Sequence, residues 1–210
     1  MVVKDVAVAP ERLERWLAGF AERHGVTTVA GSDELVTVAA ADGAIAECHV
    51  PFPPLAPGDG DPAATLVEHA CRDRKVGVIM VRRGGYAAGV FDGTSLIASK
   101  VGSRRVQGRT SAGGQSQQRF ARRRDKQARE AFEKAADVAA RVVLPHRDVL
   151  DAVVLGGDNA AIARVMADPR LAPLGELVAG PRLAVPNPKH AVLAKAPEQF
   201  RAVRIRVREP

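Results

Sequence analysis

Aromatic side chains are scarce in this sequence of 210 residues, at 4% of the total, with a single tryptophan and a single tyrosine. The interior must therefore be built mainly from Val, Leu, Ile and Ala. So few flat rings also limit base stacking as a mode of nucleic-acid binding. The hydrophobic content of 46% is ordinary for a globular chain, and a chain of this length can bury a sizeable core without covalent staples.

Cysteines are also few. Cys48 and Cys71 are the only two, which is too few for a disulfide framework and is compatible with a reducing compartment. Cys48 adjoins His49 on a predicted strand, where neighbours point to opposite faces, and His69 and Cys71 are two apart on a predicted helix. Because neither pair converges on one point, we expect no metal site and no cofactor.

The sequence has no apolar run of the roughly 18 residues that a membrane span requires. Its first residues lack the apolar stretch and the cleavage site of a signal peptide. These absences predict a cytoplasmic protein that does not associate with a membrane, and we expect it to be a monomer.

Acidic residues are nearly absent from one stretch of the chain. The whole chain has a net charge of +7, from 31 Lys and Arg against 24 Asp and Glu. Between residues 100 and 129 the only acid is Asp125, and the basic residues are Lys100, Arg104, Arg105, Arg109, Arg119, Arg122, Arg123, Arg124, Lys126 and Arg129. Positive charge of this density is typical of a surface that binds phosphates. The alternative is a solvated helix face in an arginine-rich chain.

Periodicity and turn residues predict an α/β (α+β) chain with a mixed β-sheet flanked by helices. The predicted helices span residues 10–24, 61–72, 116–143 and 158–166. The predicted strands span residues 35–40, 44–50, 75–81, 86–91, 95–101 and 152–155, with a closing edge strand over residues 202–208 that has an outward basic face. Residues 102–115 are predicted to form a long exposed loop. The proline-rich segment 51–62 suggests an N-terminal appendage of residues 1–60, packed on a main domain of residues 61–210.

Two glycines and a glutamine stand at the predicted junction between this loop and the long basic helix: Gly113, Gly114 and Gln115. Glycines allow backbone conformations that bring the chain close to a substrate. Gln115 supplies a neutral amide that donates and accepts hydrogen bonds but cannot take a proton. Such a residue suits the hydrolysis of an activated ester, where it orders a water and stabilises an oxyanion. Taken alone, a tripeptide of this kind is more often a flexible linker.

The residues around the tripeptide form a more specific pattern. From Gly113 to Arg124 the sequence is Gly-Gly-Gln-Ser-Gln-Gln-Arg-Phe-Ala-Arg-Arg-Arg, which resembles the signature of the middle domain of eukaryotic and archaeal class-1 release factors. The resemblance covers residues 75–185. Within that superfamily the chain is most similar to the Vms-like release factors of the actinobacterial type. One position differs, because the family has an arginine immediately before the glycines and this chain has Ala112.

The resemblance implies an RNase H-like core with a protruding loop and a peptidyl-tRNA hydrolase activity. Gly113, Gly114 and Gln115 correspond to the catalytic loop. The residues expected to bind ribosomal RNA and the acceptor end of tRNA are Arg104, Arg105, Arg109, Ser116, Arg119, Arg122, Arg123, Arg124 and Lys126. The expected partners are the large ribosomal subunit, through its 23S rRNA, and peptidyl-tRNA.

No module for reading stop codons is evident in the sequence, so we expect peptide release that is independent of the A-site codon, as in the rescue of stalled ribosomes or large subunits. Two alternatives stay open. One is a non-catalytic ribosome- or RNA-binding factor that uses the same basic surface. The other is a nuclease for the 3′ end of tRNA, which would need clustered carboxylates to hold metal ions. Asp92, Asp151 and Asp158 stand near strand ends, although a turn explains Asp92 better and a helix cap explains Asp158 better.

Overall fold

The structure is a computed structural model that describes residues 2–56, 60–82, 84–103 and 115–210; for residues 115–126 and 128 it describes the backbone alone. The chain forms two compact units. The first consists of Met1–Asp73, Ala179–Pro181 and Pro197–Pro210, and the second consists of Arg74–Val178 and Arg182–Ala196.

Helices and strands follow one another along the described chain. In chain order the elements are β1 (Val3–Val8), α1 (Pro10–His24), β2 (Thr27–Gly31), β3 (Leu35–Ala40), β4 (Ile45–His49), α2 (Pro62–Cys71), β5 (Lys75–Arg82), β6 (Gly85–Asp92), β7 (Ser95–Ser103), α3 (Gln115–Val142), β8 (Ala152–Gly157), α4 (Asn159–Met166), α5 (Ala172–Gly175), α6 (His190–Ala194), α7 (Ala196–Phe200) and β9 (Val203–Arg208). Short 3-10 turns occupy Leu144–Val149 and Pro169–Leu171. None of the helices formed by these residues is long and apolar enough to span a membrane.

The first unit contains a five-stranded antiparallel sheet in the order β1-β9-β4-β3-β2. Side chains on one face of this sheet form a core with the apolar faces of α1 and α2, to which the two helices contribute Leu13, Phe20 and Leu66. Burial alternates along β9, where Ile205 is buried and Arg206 is exposed, because successive residues of a strand point to opposite faces. The sheet therefore has one covered face and one open face.

The prediction that the last strand lies at a sheet edge is wrong. β9 lies between β1 and β4 and forms hydrogen bonds with both. Its outward basic face is present, since Arg204 and Arg206 are exposed. The error arose because the sequence did not indicate β1, whose only buried residue is Val8 and whose apolar alternation is therefore weak. The edge strand β2 was not predicted either.

The second unit contains a four-stranded mixed sheet in the order β7-β6-β5-β8. β5, β6 and β7 form an antiparallel meander, and β8 runs parallel to β5. Residues 76–81 of β5 are all buried, which is typical of a central strand that is covered on both faces. Ile79 and Val90 from the sheet share one core with Ala135 and Ala139 of α3 and Ile162 of α4.

A mixed α/β fold is confirmed, but it contains two sheets where the sequence predicted one. The compact units also differ from the predicted division after residue 60. α2 and β9 belong to the first unit because α2 contributes to its core and β9 pairs with β1 and β4. The roles assigned to the two predicted regions stay predictions.

Candidate functional site

The predicted catalytic tripeptide falls between the end of β7 and the start of the longest helix. β7 ends at Ser103 and α3 begins at Gln115, one residue from the predicted start of the long helix. Gly113 and Gly114 lie outside the described residues, as do Arg104, Arg105 and Arg109. The other predicted site residues lie on α3, where the structure describes their helical backbone but not their side chains: Gln115, Ser116, Arg119, Arg122, Arg123, Arg124 and Lys126.

Close packing against β6 fixes the last residues of β7 before this segment. A Cβ atom on Gly102 would lie 2.3 Å from Cζ of Tyr86, so the phenol ring occupies the space that a side chain would need. Tyr86 itself packs against the core of the second unit. Gly85 is opposite Ser103 in the β6–β7 register. The strand that leads to the predicted catalytic loop therefore has a well-defined end, and the sequence did not indicate the part that Tyr86 plays in it.

The second half of α3 is anchored in the core of the second unit. Ala135, Ala136 and Ala139 are no more than 3% exposed. Their short side chains allow the helix to approach the sheet closely, and α3 contacts both β6 and β7. Just after the helix, Val143 fills the space above Gly77 of β5, where an added Cβ would lie 2.7 Å from Cγ1 of Val143. This packing fixes the direction of the helix relative to its own sheet.

The buried residues of α3 lie far along the helix from its first turn. The helix has 28 residues, or roughly 42 Å at 1.5 Å per residue. Ala135 comes 20 residues after Gln115, so the buried anchor begins roughly 30 Å along the helix axis from the glutamine. Arg119, Arg122, Arg123, Arg124 and Lys126, which are predicted to bind RNA, belong to the intervening turns. Further along the helix, Arg129, Lys134 and Arg141 are exposed.

A network of ion pairs joins α3 to the turn that follows α4. Nη1 of Arg170 lies 2.8 Å from Oδ1 of Asp137 on α3, and Nη2 lies 2.7 Å from Oδ2 of Asp168. Hydrogen bonds from the side chain of Arg170, and then from its backbone N–H, lower the pKa of Asp168 to about 2. The side-chain hydrogen bonds to Asp168 and then to Asp137 raise the pKa of Arg170. The Arg170–Asp168 pair therefore stays charged well into the acid range.

The three carboxylates considered for a nuclease site each have a partner within the fold. Oδ2 of Asp92 lies 2.5 Å from Nζ of Lys75. Asp151 accepts a hydrogen bond of 2.7 Å from the backbone N–H of Lys75. The carboxylate of Asp158 accepts from the N–H groups of the first turn of α4, which confirms that it caps this helix. These contacts give all three acids a structural role.

The cysteine and histidine side chains that were weighed as metal ligands point to different surroundings. Cys48 is buried and His49 is exposed, as expected for neighbours on a strand, and burial raises the pKa of the Cys48 thiol to about 12. Nε2 of His69 donates a hydrogen bond of 2.7 Å to the carbonyl oxygen of Pro51, whereas Cys71 is exposed. Within the described ranges no group of three or more His, Cys, Asp or Glu residues could hold a metal ion.

His24 contacts two carboxylates that sequence spacing did not indicate. Its Nδ1 lies 2.8 Å from Oδ2 of Asp42, and its Nε2 lies 3.6 Å from Oε2 of Glu209. The backbone N–H of Ala44 and then the His24 ring lower the pKa of Asp42. These contacts join the end of α1, the β3–β4 turn and the residue that follows the last strand, all within the first unit.

Several solved structures are similar to this chain at low identity. An archaeal protein and the archaeal translation termination factor aRF1 each match with 14% identity and a TM-score of 0.40, over 95% of this chain and 67% of the other. The Vms1 mitochondrial localization core matches with 10% identity and a TM-score of 0.39, over 93% of this chain and 80% of the other. Scores this low do not establish a shared fold.

A comparison with protein families is more decisive. No curated protein matches the chain. A family model described as the Actinobacteria/chloroflexi VLRF1 release factor matches residues 74–206, which is more than half of the chain and includes the Gly-Gly-Gln pattern and the whole of α3. The chain therefore belongs to the VLRF1 release factor family of Actinobacteria and Chloroflexi.

Proposed function

We propose that this protein is a peptidyl-tRNA hydrolase that releases nascent chains from stalled ribosomes or large subunits, whatever codon occupies the A site. The observation that carries the proposal is the position of Gln115. It is the first residue of α3 and directly follows two glycines, in a chain that belongs to a release factor family. The second unit would then be the catalytic domain, with an RNase H-like core and a protruding loop.

In this proposal Gln115 acts by position and polarity, without accepting a proton. Its amide orders the attacking water at the ester of peptidyl-tRNA, and the free N–H groups of the first helical turn favour the developing negative charge. Gly113 and Gly114 allow the backbone to approach the ester. One well-placed oxyanion donor contributes roughly 2.7–4 kcal/mol, and positioning contributes about 7–11 kcal/mol at the limit. An activated ester therefore does not require a general base here.

Charge supports an RNA partner for the second unit in particular. That unit has 22 Lys and Arg against 10 Asp and Glu, or +12, whereas the first unit has 9 against 14, or −5; together they give the +7 of the whole chain. Phosphate binding would therefore be a property of the second unit. The proposed contacts to 23S rRNA and the tRNA acceptor end are Arg104, Arg105, Arg109, Ser116, Arg119, Arg122, Arg123, Arg124 and Lys126.

The decisive experiment compares two glycine variants on purified 50S subunits that hold radiolabelled peptidyl-tRNA. Gly114→Ala should lower the rate of peptide release by about 100-fold or more, the loss seen when an oxyanion donor is misplaced, and should leave binding to the subunit nearly unchanged. Gly175→Ala is the matched control, because an added Cβ there has no atom within 4 Å. Equal release by wild type and Gly114→Ala would sink the hydrolase proposal.

The same experiment separates the two alternative functions. Hydrolysis of the ester leaves full-length tRNA with an intact 3′ end, whereas a nuclease leaves shortened tRNA. A factor that only binds the ribosome leaves the peptidyl-tRNA unchanged. Repeating the assay on stalled complexes with sense, stop or no codon in the A site should give equal rates, and a strong preference for stop codons would contradict codon independence.

A further inference from the structure

A groove on the first unit has no part in the proposed hydrolase. It lies at one end of the open face of the five-stranded sheet, beside Ala7, Arg204 and His49. The rest of its wall consists of residues 50–53 and 180–181 together with Asp5, Val6, Ala202, Ile205 and Arg206. Its volume is about 650 Å³. Every residue that lines it belongs to the first unit.

The groove contains a cation that the fold leaves without a counterion. Arg204 and His49 are exposed and lie opposite each other in the β4–β9 register, and within the described ranges neither side chain has an ion pair or hydrogen bond. The next row of the same face differs, because Arg206 lies between Asp5 and Glu47 in register. Nε of Arg206 lies 3.0 Å from Oδ1 of Asp5. Arg204, which lies between Ala7 and His49 in register, thus has no carboxylate beside it, whereas Arg206 has two.

The Asp5–Arg206 ion pair also lines the groove, and most of the remaining wall is apolar and conformationally restricted. Pro51, Phe52, Pro53 and Pro181 all line it. Phe52 has a φ of +53, which costs a residue with a side chain about 1–2 kcal/mol. Such strain is retained mainly where the surrounding structure imposes it, often at ligand sites. The Phe52 ring packs edge-on against Phe200 at a centroid distance of 6.1 Å.

A peptide carboxylate fits this groove better than a nucleic acid does. The first unit carries a net charge of −5, which repels a polyanion at long range. A single carboxylate can still form the paired hydrogen bonds that a guanidinium favours. β1 is an edge strand with 50% of Val3 and 36% of Val6 exposed. Edge strands are the positions at which extended peptides add to sheets.

We propose that this groove binds an extended peptide segment of a partner protein. An Asp or Glu side chain of that segment pairs with Arg204, and its flanking apolar side chains lie against Phe52 and Pro181. The first unit is thus a protein-docking unit, and the proposal does not depend on Gln115 or on hydrolysis.

Selection from a random peptide library on the full chain tests this proposal. Phage that display random peptides are selected on the wild-type protein and depleted on Arg204→Glu, and a peptide with the consensus sequence is synthesised for fluorescence anisotropy. We expect a consensus with one acidic residue among apolar ones, and a loss of about tenfold or more in affinity with Arg204→Glu, as for a desolvated charge pair. Replacing the acid of the peptide with Lys should reverse the preference between wild type and Arg204→Glu.

Two further variants separate the effect of the Arg204 charge from a general change in net charge. Arg204→Gln, which removes the charge but retains a long side chain, must weaken the same peptide. Arg12→Glu, an exposed arginine on α1 that does not line the groove, must bind it as the wild type does. Failure to select any consensus, a consensus without an acid, or equal binding by Arg204→Glu and wild type would overturn the proposal. So would displacement of the peptide by a single-stranded RNA that itself requires Arg204.

Discussion

Gly157 determines how the chain passes from β8 into α4. Its φ is +103, and a Cβ atom there would lie 2.1 Å from the carbonyl oxygen of Val81 on β5. The next residue, Asp158, donates its backbone N–H to that same carbonyl at 2.9 Å and then caps α4 with its side chain. Only glycine allows the strand to approach β5 so closely and turn at once into the helix.

We therefore expect Gly157→Ala to destabilise the second unit. Left-handed strain and the clash with the β5 backbone should together lower its free energy of unfolding by at least about 2 kcal/mol. Urea unfolding measures the loss, and Gly175→Ala, whose added Cβ meets no atom within 4 Å, should change stability by less than about 0.5 kcal/mol. Unfolding of Gly157→Ala at the wild-type urea concentration would contradict this account.

Asp168 makes the second unit sensitive to strong acid. Arg170 lowers its pKa from 3.8 to about 2, so the folded state holds this proton less tightly than the unfolded state does. The stabilisation is complete above the unfolded pKa and is lost as pH falls from about 4 through about 2. Asp168→Asn, which can still accept from the backbone of Arg170, should be less stable than wild type at neutral pH, and the gap should close over that window. Thermal unfolding at a series of pH values measures this difference in stability. A difference that stays constant over the window would show that the charge of Asp168 does not contribute to stability.

Residues that act on their immediate neighbours in sequence could be recognised without a structure. Asp158 caps α4, as predicted, and Asp61 caps α2 in the same way. α1 ends at the predicted residue 24, and Gly25 follows it as the C-cap. The packing of Tyr86 on Gly102 and the pairing of His24 with Asp42 depend on which strands and turns meet. Such long-range contacts leave no spacing pattern in the chain, which is why they were not predicted.

Helices and hairpins were predicted more accurately than isolated strands. α1 starts at the predicted residue 10 and α2 starts one residue after the predicted residue 61, because a proline and a cap at a helix start are local features. β1 and β9 pair across the whole length of the chain. A strand can be recognised as an edge or a central strand only when its partners are known, so β9 was placed wrongly although its basic face was predicted correctly.

The first turns of α3 should account for the salt dependence of ribosome binding, if the proposed function is right. The slope of log affinity against log salt is negative, and each lost phosphate contact makes it less steep by roughly 0.7–0.9. The double variant Arg122→Ala/Arg123→Ala should therefore bind 50S subunits more weakly and with a shallower slope. Arg141→Ala is the control, since Arg141 is exposed at the anchored end of the same helix. A slope that changes equally in both variants would show that only general charge matters.

At the scale of the whole molecule, the two compact units also differ in the sign of their net charge. The sequence showed a positive cluster at residues 100–129 and a nearly balanced remainder, but the compact units show that the remainder is not uniform. Residues 1–73 and 197–210 belong to an acidic unit, although the sequence separates them by more than a hundred residues. The charge of this unit could not be calculated from the sequence, because its membership follows from the pairing of β9 with β1 and β4.

A substitution that creates a cavity in the core of the first unit should show whether β9 belongs to that unit. Leu13 of α1 is fully buried in that core, so Leu13→Ala should destabilise its unit by about 2–5 kcal/mol. No residue of this core belongs to the core of the second unit. In hydrogen exchange by mass spectrometry, the amides of β1, β4 and β9 should therefore lose protection together, while those of β5 and β8 keep theirs. Ala135→Gly, which loosens the packing of α3, is the matched variant and should affect β6 without affecting β9. If β9 instead stayed protected, as β5 does, while β1 and β4 lost protection, the last strand would not belong to the acidic unit. The net charge of −5, which favours a peptide over RNA in the groove, would then no longer describe that surface.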